Sequence, residues 1–194
     1  MGVRIAFYET TDGKSLLENF NRTFSEFKDW ILEENKKSIN DYKERIISKE
    51  IQSFLEQSGD NINVKNTSQE LLDELTNEYL LTFCDYGKGK LNIKLIGPLI
   101  SRHKYDTSFN IIKETNDKKL IEFWNFLKVG RSLKDDKEFT KMESDLIGFW
   151  KKNEMDYIRQ KIKSIDVDDI GIECISDVLA EIDEKTELIF NIEL

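Results

Sequence analysis

TELIFNIEL, residues 186–194, decides the fold. It is rich in β-branched and aromatic residues and reads as a short apolar strand. A second such segment, VRIAFYE at 3–9, is bounded by the turn residues of TTDG and reads as a strand and turn. Two apolar strands flanking a long, mainly helical middle imply an α+β fold. The expectation is a single mainly helical domain spanning 1–194. Its small antiparallel or mixed sheet is built from the terminal strands and a central hairpin.

The middle carries several helix starts. Ser15 and Glu18 have capping-box spacing, and Phe20, Phe24, Phe27 and Ile31 follow at helical intervals. That helix is expected to end near ENKKS, 34–38. A second helix, carrying Ile39, Tyr42, Ile46, Ile47, Ile51 and Leu55, stops before SGDN and makes a helical hairpin or one bent helix with the first. Thr67 to Glu70 has capping-box spacing again. NDKKLIEFWNFLKVG, 116–130, has an Asn or Asp cap and a Gly130 stop. A third box at Thr140 predicts a helix through Leu146, Phe149, Trp150 and Ile158 to about Lys163. Trp30, Trp124 and Trp150 are all expected on buried helical faces. In LTFCDYGKGKLNIKLIG, 81–97, the alternation on both sides of GKG predicts a β-hairpin turning at 87–89, with a further short strand after it.

Composition narrows the function classes. The chain has 194 residues, 35% of them charged, with one proline and one histidine. No apolar run approaches the roughly 18 residues that a membrane helix needs. The N-terminal stretch lacks the apolar length and small-residue cleavage site of a signal peptide, so the expected location is cytoplasmic. Cys84 and Cys174 read as reduced, buried thiols. One histidine excludes a His-rich metal centre. His103 lies two residues from Ser101, but no nucleophile-elbow pattern or third group accompanies them. No catalytic residue, metal or cofactor is expected, and the chain is read as non-enzymatic.

Charge is the strongest signal. Residues 165–194 contain ten acids and one base, and so carry the whole net charge of −9. The preceding residues are neutral overall. An opposite patch lies between Tyr86 and Lys104, where Lys88, Lys90, Lys94, Arg102 and Lys104 occur with no acid. That patch is the alternative site, for phosphate or nucleic acid. GKGK lacks the spacing of a P-loop, and the acidic whole opposes a polyanion. Nucleic-acid binding is therefore not the favoured expectation.

DVDDIGIECISD, 166–177, imitates a calcium loop: Asp166 and Asp168 stand at positions 1 and 3, and Gly171 at position 6. Ile170 at position 5 and Cys174 at position 9 are wrong for a hard cation, and Asp177 at position 12 is short. Placed on a helix, the same residues make two stripes. Ile172, Ile175, Leu179 and Ile182 face a core, and Glu173, Asp177, Glu181 and Glu184 make a row of carboxylates. Asp166, Asp168 and Asp169 then sit at the N-terminus, where capping and the dipole favour acids. The acidic row is the candidate partner-binding face, expected to meet a basic protein such as a toxin or nuclease. In strategy this resembles the small acidic immunity proteins, and it implies an immunity- or antitoxin-like inhibitor steered by charge.

Overall fold

The computed structural model describes residues 4–10, 12–84, 93–134, 137–140, 146–166, 168–182 and 187–193. The elements in chain order are β1 (Arg4–Thr10), α1 (Leu16–Tyr42), α2 (Lys49–Gln57), α3 (Gln69–Asn77), a π-helical segment (Glu78–Cys84), β2 (Ile93–Ser101), α4 (Arg102–Glu114), α5 (Lys118–Val129), β3 (Leu146–Trp150), α6 (Lys152–Ile162), α7 (Ile170–Glu181) and β4 (Leu188–Glu193). The α+β, mainly helical class holds.

Among the described residues the strands form one antiparallel sheet in the order β2-β1-β4-β3. The two terminal strands are therefore its centre. β1 and β4 pair directly, with Phe7 opposite Phe190, and Phe190 is in turn opposite Gly148 of β3. Directly opposed residues share a face. The row works because Gly148 has no side chain: a Cβ there would overlap the Phe190 ring edge. Trp150, next on that face, meets Phe190 edge-on at 5.6 Å and donates its indole N–H to the Phe123 carbonyl of α5 at 2.8 Å.

On α1 the capping box is complete: the Ser15 hydroxyl accepts from the Glu18 N–H, and Glu18 accepts from the Ser15 N–H. Phe20, Phe24 and Phe27 are fully buried and pack on one another, and Phe20 and Phe27 reach Tyr79 and Phe83 of the π-helical segment, with ring centroids 4.8–6.4 Å apart. The helix does not stop at ENKKS. Asn35, the second residue of that stretch, is buried, and its side-chain oxygen accepts from the Ile46 and Ile47 amides. α1 continues to Tyr42 and ends at Lys43, whose φ is 59°. The chain then folds back, and α2 starts on the Ser48 cap.

Two expected elements differ. The first arm of the hairpin, 81–84, belongs to the π-helical segment. Tyr79 and Phe83, four apart, bury against α1, and that burial overrides the alternation of Leu81 to Cys84. The expected turn at 87–89 lies outside the described residues. The strand after it, β2, pairs with β1 instead. The expected helix from Thr140 is also overturned: Leu146–Trp150 is strand, buried at every position. Thr140 directs its N–H and hydroxyl to the Asp73 carboxylate, 2.9 Å each, rather than capping a helix. The helix there starts only at Lys152. Trp150 accordingly lies on a strand. Residues 102–114, not anticipated as helical, form α4 on a Ser101 cap.

Candidate functional site

The acidic segment forms a cap and a helix, as its periodicity requires. Asp169 is the N-cap of α7. One of its oxygens accepts from the Gly171 and Ile172 amides at 3.0 Å and from the Ser108 hydroxyl of α4 at 2.7 Å. With Asp169 turned inward and 8% exposed, the stretch is not wrapped around an ion. Among the described residues no group of three potential ligands is arranged to hold a metal. Gly171 makes the joint possible. A Cβ on it would overlap the Ser108 hydroxyl and stand 2.8 Å from the Lys104 carbonyl.

Beyond the cap the two stripes separate cleanly. Ile172, Ile175, Val178, Leu179 and Ile182 are buried, whereas Glu173, Asp177 and Glu181 are exposed. Glu184 lies outside the described residues. Successive members of the row are about 6 Å apart along the axis, since each is four residues on. Three carboxylates at that pitch offer acceptors for Lys and Arg side chains, and nothing for apolar ones. Ile170, 56% exposed, is the one large apolar side chain at the head of the row.

The row is not uniform. The Glu181 carboxylate accepts from the Gly97 N–H at 3.3 Å, so it also fastens α7 to β2. Gly97 has φ 63° and lies against Val178, whose Cγ2 a Cβ there would overlap. Gly97 begins the irregular register between β1 and β2, immediately before Pro98, the lone proline, placed on an edge strand as proline requires.

The expected basic patch is only partly brought into view. Lys88 and Lys90 lie outside the described residues, and Lys94 stands on β2 in register with Glu9. Arg102 and Lys104 occupy the first turn of α4, with Arg102 3.9 Å from Asp106. Lys104 adjoins the acidic helix. Burial raises the pKa of the Cys174 thiol, Lys104 lowers it, and Asp177, Glu173 and Asp169 raise it again. Acidic and basic residues thus abut across the α4–α7 joint rather than marking opposite poles. Ser101 ends β2 and caps α4, while His103 lies in the first helical turn and is exposed. The two are therefore not neighbours on one strand face. Cys84 and Cys174 are both buried, and neither is joined in a disulfide.

Three charged clusters join residues distant in sequence. Arg131 is buried, bidentate to Glu154 at 2.6 and 3.0 Å, with the Phe126 and Phe149 rings 4.5 and 4.8 Å from its guanidinium carbon. Asp73, fully buried, accepts from Ser132 at 2.5 Å as well as from Thr140. Burial raises its pKa, and these donors oppose the rise. At the surface, Asp117 caps α5 and accepts from Lys161 and Tyr157; those two bonds hold its pKa down at about 2. A cleft of about 440 Å³ opens between α1 and α2, lined by Leu32, Asn35, Ile39 and Gln52 among others. Its amides are engaged with each other and with the backbone. No described helix is long and apolar enough to cross a membrane. No family model, curated protein or solved structure matches the chain.

Proposed function

We propose that this chain binds a basic protein through the exposed face of α7 and inhibits it by occupancy, without chemistry of its own. The reading is of a cytoplasmic, immunity- or antitoxin-like protein whose target is a basic effector such as a toxin or nuclease. The observation that carries it is the row Glu173, Asp177 and Glu181, exposed along one side of a helix whose other side is anchored in the core. Like charges four apart cost a helix roughly 0.2–0.5 kcal/mol per pair, and a cationic partner would remove that cost. The chain supplies a rigid mount. The Asp169 cap and the Glu181–Gly97 bond fix both ends of the helix, so little order has to be acquired on binding.

The test is a comparative capture from cells of the source organism. The wild-type chain and the triple variant E173K/D177K/E181K serve as baits, with retained proteins identified by mass spectrometry. A strongly basic protein held by the wild type and absent from the variant is the expected result. Identical sets on both baits would overturn the proposal.

A further inference from the structure

The cleft between α1 and α2 has a fixed base and two uncommitted charges of opposite sign. Asn35, buried at that base, accepts from the Ile46 N–H at 3.1 Å and donates its own N–H to Gln52 at 3.3 Å. The Gln52 oxygen also accepts from the Arg45 guanidinium, and its N–H donates to one oxygen of Glu56 at 2.7 Å. This relay spends both amides and ends on the Glu56 carboxylate, whose direction it sets. Glu56 is exposed, and among the described residues its other oxygen has no protein donor. On the α1 wall, Glu33 already has its counter-charge in Lys37, at 2.9 Å. Lys36, the next residue, has none. Among the described residues no carboxylate pairs with its ammonium, not even Glu56, which lines the same cleft.

Two opposite charges that line one cleft and do not meet leave room for a molecule that carries both. The cleft holds about 440 Å³, toward the small end of the roughly 300–1,000 Å³ of small-molecule sites. Half-buried Leu32 and Ile39 add apolar surface to the same lining. A simple cation would satisfy Glu56 and be repelled by Lys36, and a simple anion would meet the reverse. A polyanion would find a single uncommitted lysine among the described lining residues. A zwitterion gives each charge a charge-assisted hydrogen bond and adds no net charge to the cleft. We propose that the α1–α2 cleft binds a small zwitterion, an α-amino acid with an apolar side chain. Its ammonium donates to Glu56, its carboxylate accepts from Lys36, and its side chain lies on Leu32 and Ile39. The internal relay from Asn35 to Glu56 holds the carboxylate ready, so little order is acquired there on binding. The site is built by α1 and α2, and it stands or falls independently of what α7 binds.

The test is a titration of the full chain, followed by the amide proton and nitrogen-15 shifts, with L-leucine, L-isoleucine, L-methionine and L-phenylalanine as probes. At least one is expected to give saturable shifts centred on residues 32–40 and 52–56. For that probe, the matching amine without the carboxylate and the matching acid without the ammonium are each expected to bind about tenfold more weakly. Glu56→Gln and Lys36→Gln, both at exposed positions, are each expected to weaken the amino acid by about tenfold while leaving the rest of the spectrum in place. No saturable shift with any of the four, or binding that both variants leave unchanged, would overturn the proposal. An amine or acid that binds as tightly as the intact amino acid would overturn it too, by showing that a single charge is recognised.

Discussion

Replacing Gly171 by Ala probes the joint that turns an apparent ion loop into a capped helix. The new methyl group overlaps the Ser108 hydroxyl, and it comes within 2.8 Å of the Lys104 carbonyl and 3.2 Å of the Asp169 carboxylate. Ser108 can rotate away, but only by giving up its 2.7 Å bond to Asp169. The Lys104 carbonyl belongs to the α4 backbone, so the two helices must also part slightly. Overpacking of this kind costs about 1–3 kcal/mol, and a hydrogen bond to a charged group is worth about 1.5–3 kcal/mol. Against this, Ala is a better helix former than Gly by up to about 1 kcal/mol. The net expectation is a loss of about 2–3 kcal/mol, read as a lower urea midpoint with an unchanged slope. Ser108→Ala alone is expected to cost about 1–2 kcal/mol, because Asp169 keeps its two amide donors. In the double variant the hydroxyl obstacle is gone, so the combined loss falls short of the sum by about 1 kcal/mol. A Gly171→Ala protein as stable as the wild type, or strict additivity in the cycle, would refute this account of the joint.

Arg131→Met leaves Glu154 buried beside an apolar side chain and is expected to cost about 3–5 kcal/mol by urea titration, with R131M/E154L recovering most of it. Gly97→Ala adds left-handed strain at φ 63° to an overlap with Val178; a loss of about 2–4 kcal/mol is expected, partly restored in G97A/V178A. Millimolar calcium is expected to leave the thermal midpoint unmoved, since Asp169 is committed to the α7 cap; a rise that saturates with calcium would instead place an ion on Asp166 and Asp168.

What was legible in the sequence was local. Ser15 with Glu18, Asp117, Gly130 and the stripes of α7 are signals carried within one or two helical turns, and each stands where its chemistry puts it. The terminal strands were legible because their apolar runs are short and closely bounded. β3 was not: Leu146 to Trp150 is buried on both faces, so it lacks alternation, and a short apolar run of that kind reads equally well as helix. The π-helical segment hid for the converse reason. The segment that holds those alternating residues also places Tyr79 and Phe83 four apart, and only contact with Phe20 and Phe27 chooses between the periods. The charged clusters were out of reach because they join distant residues: Asp73 with Ser132, 59 apart, and Leu16 with Glu187, 171 apart. At the candidate site the row itself was legible. The use of Glu181 as a brace for β2, and the abutment of Lys104 on α7, were not.

The central claim is that the acidic face of α7 is where this chain meets its partner. The direct measurement is the association rate constant with the captured basic protein, by stopped flow from 20 to 500 mM salt, for the wild type and E173K/D177K/E181K. Steering by charge predicts a wild-type rate that falls steeply with salt, and a variant at least about tenfold slower at low salt whose rate no longer falls as salt rises. Equal rates with the same salt dependence in both proteins would contradict the claim.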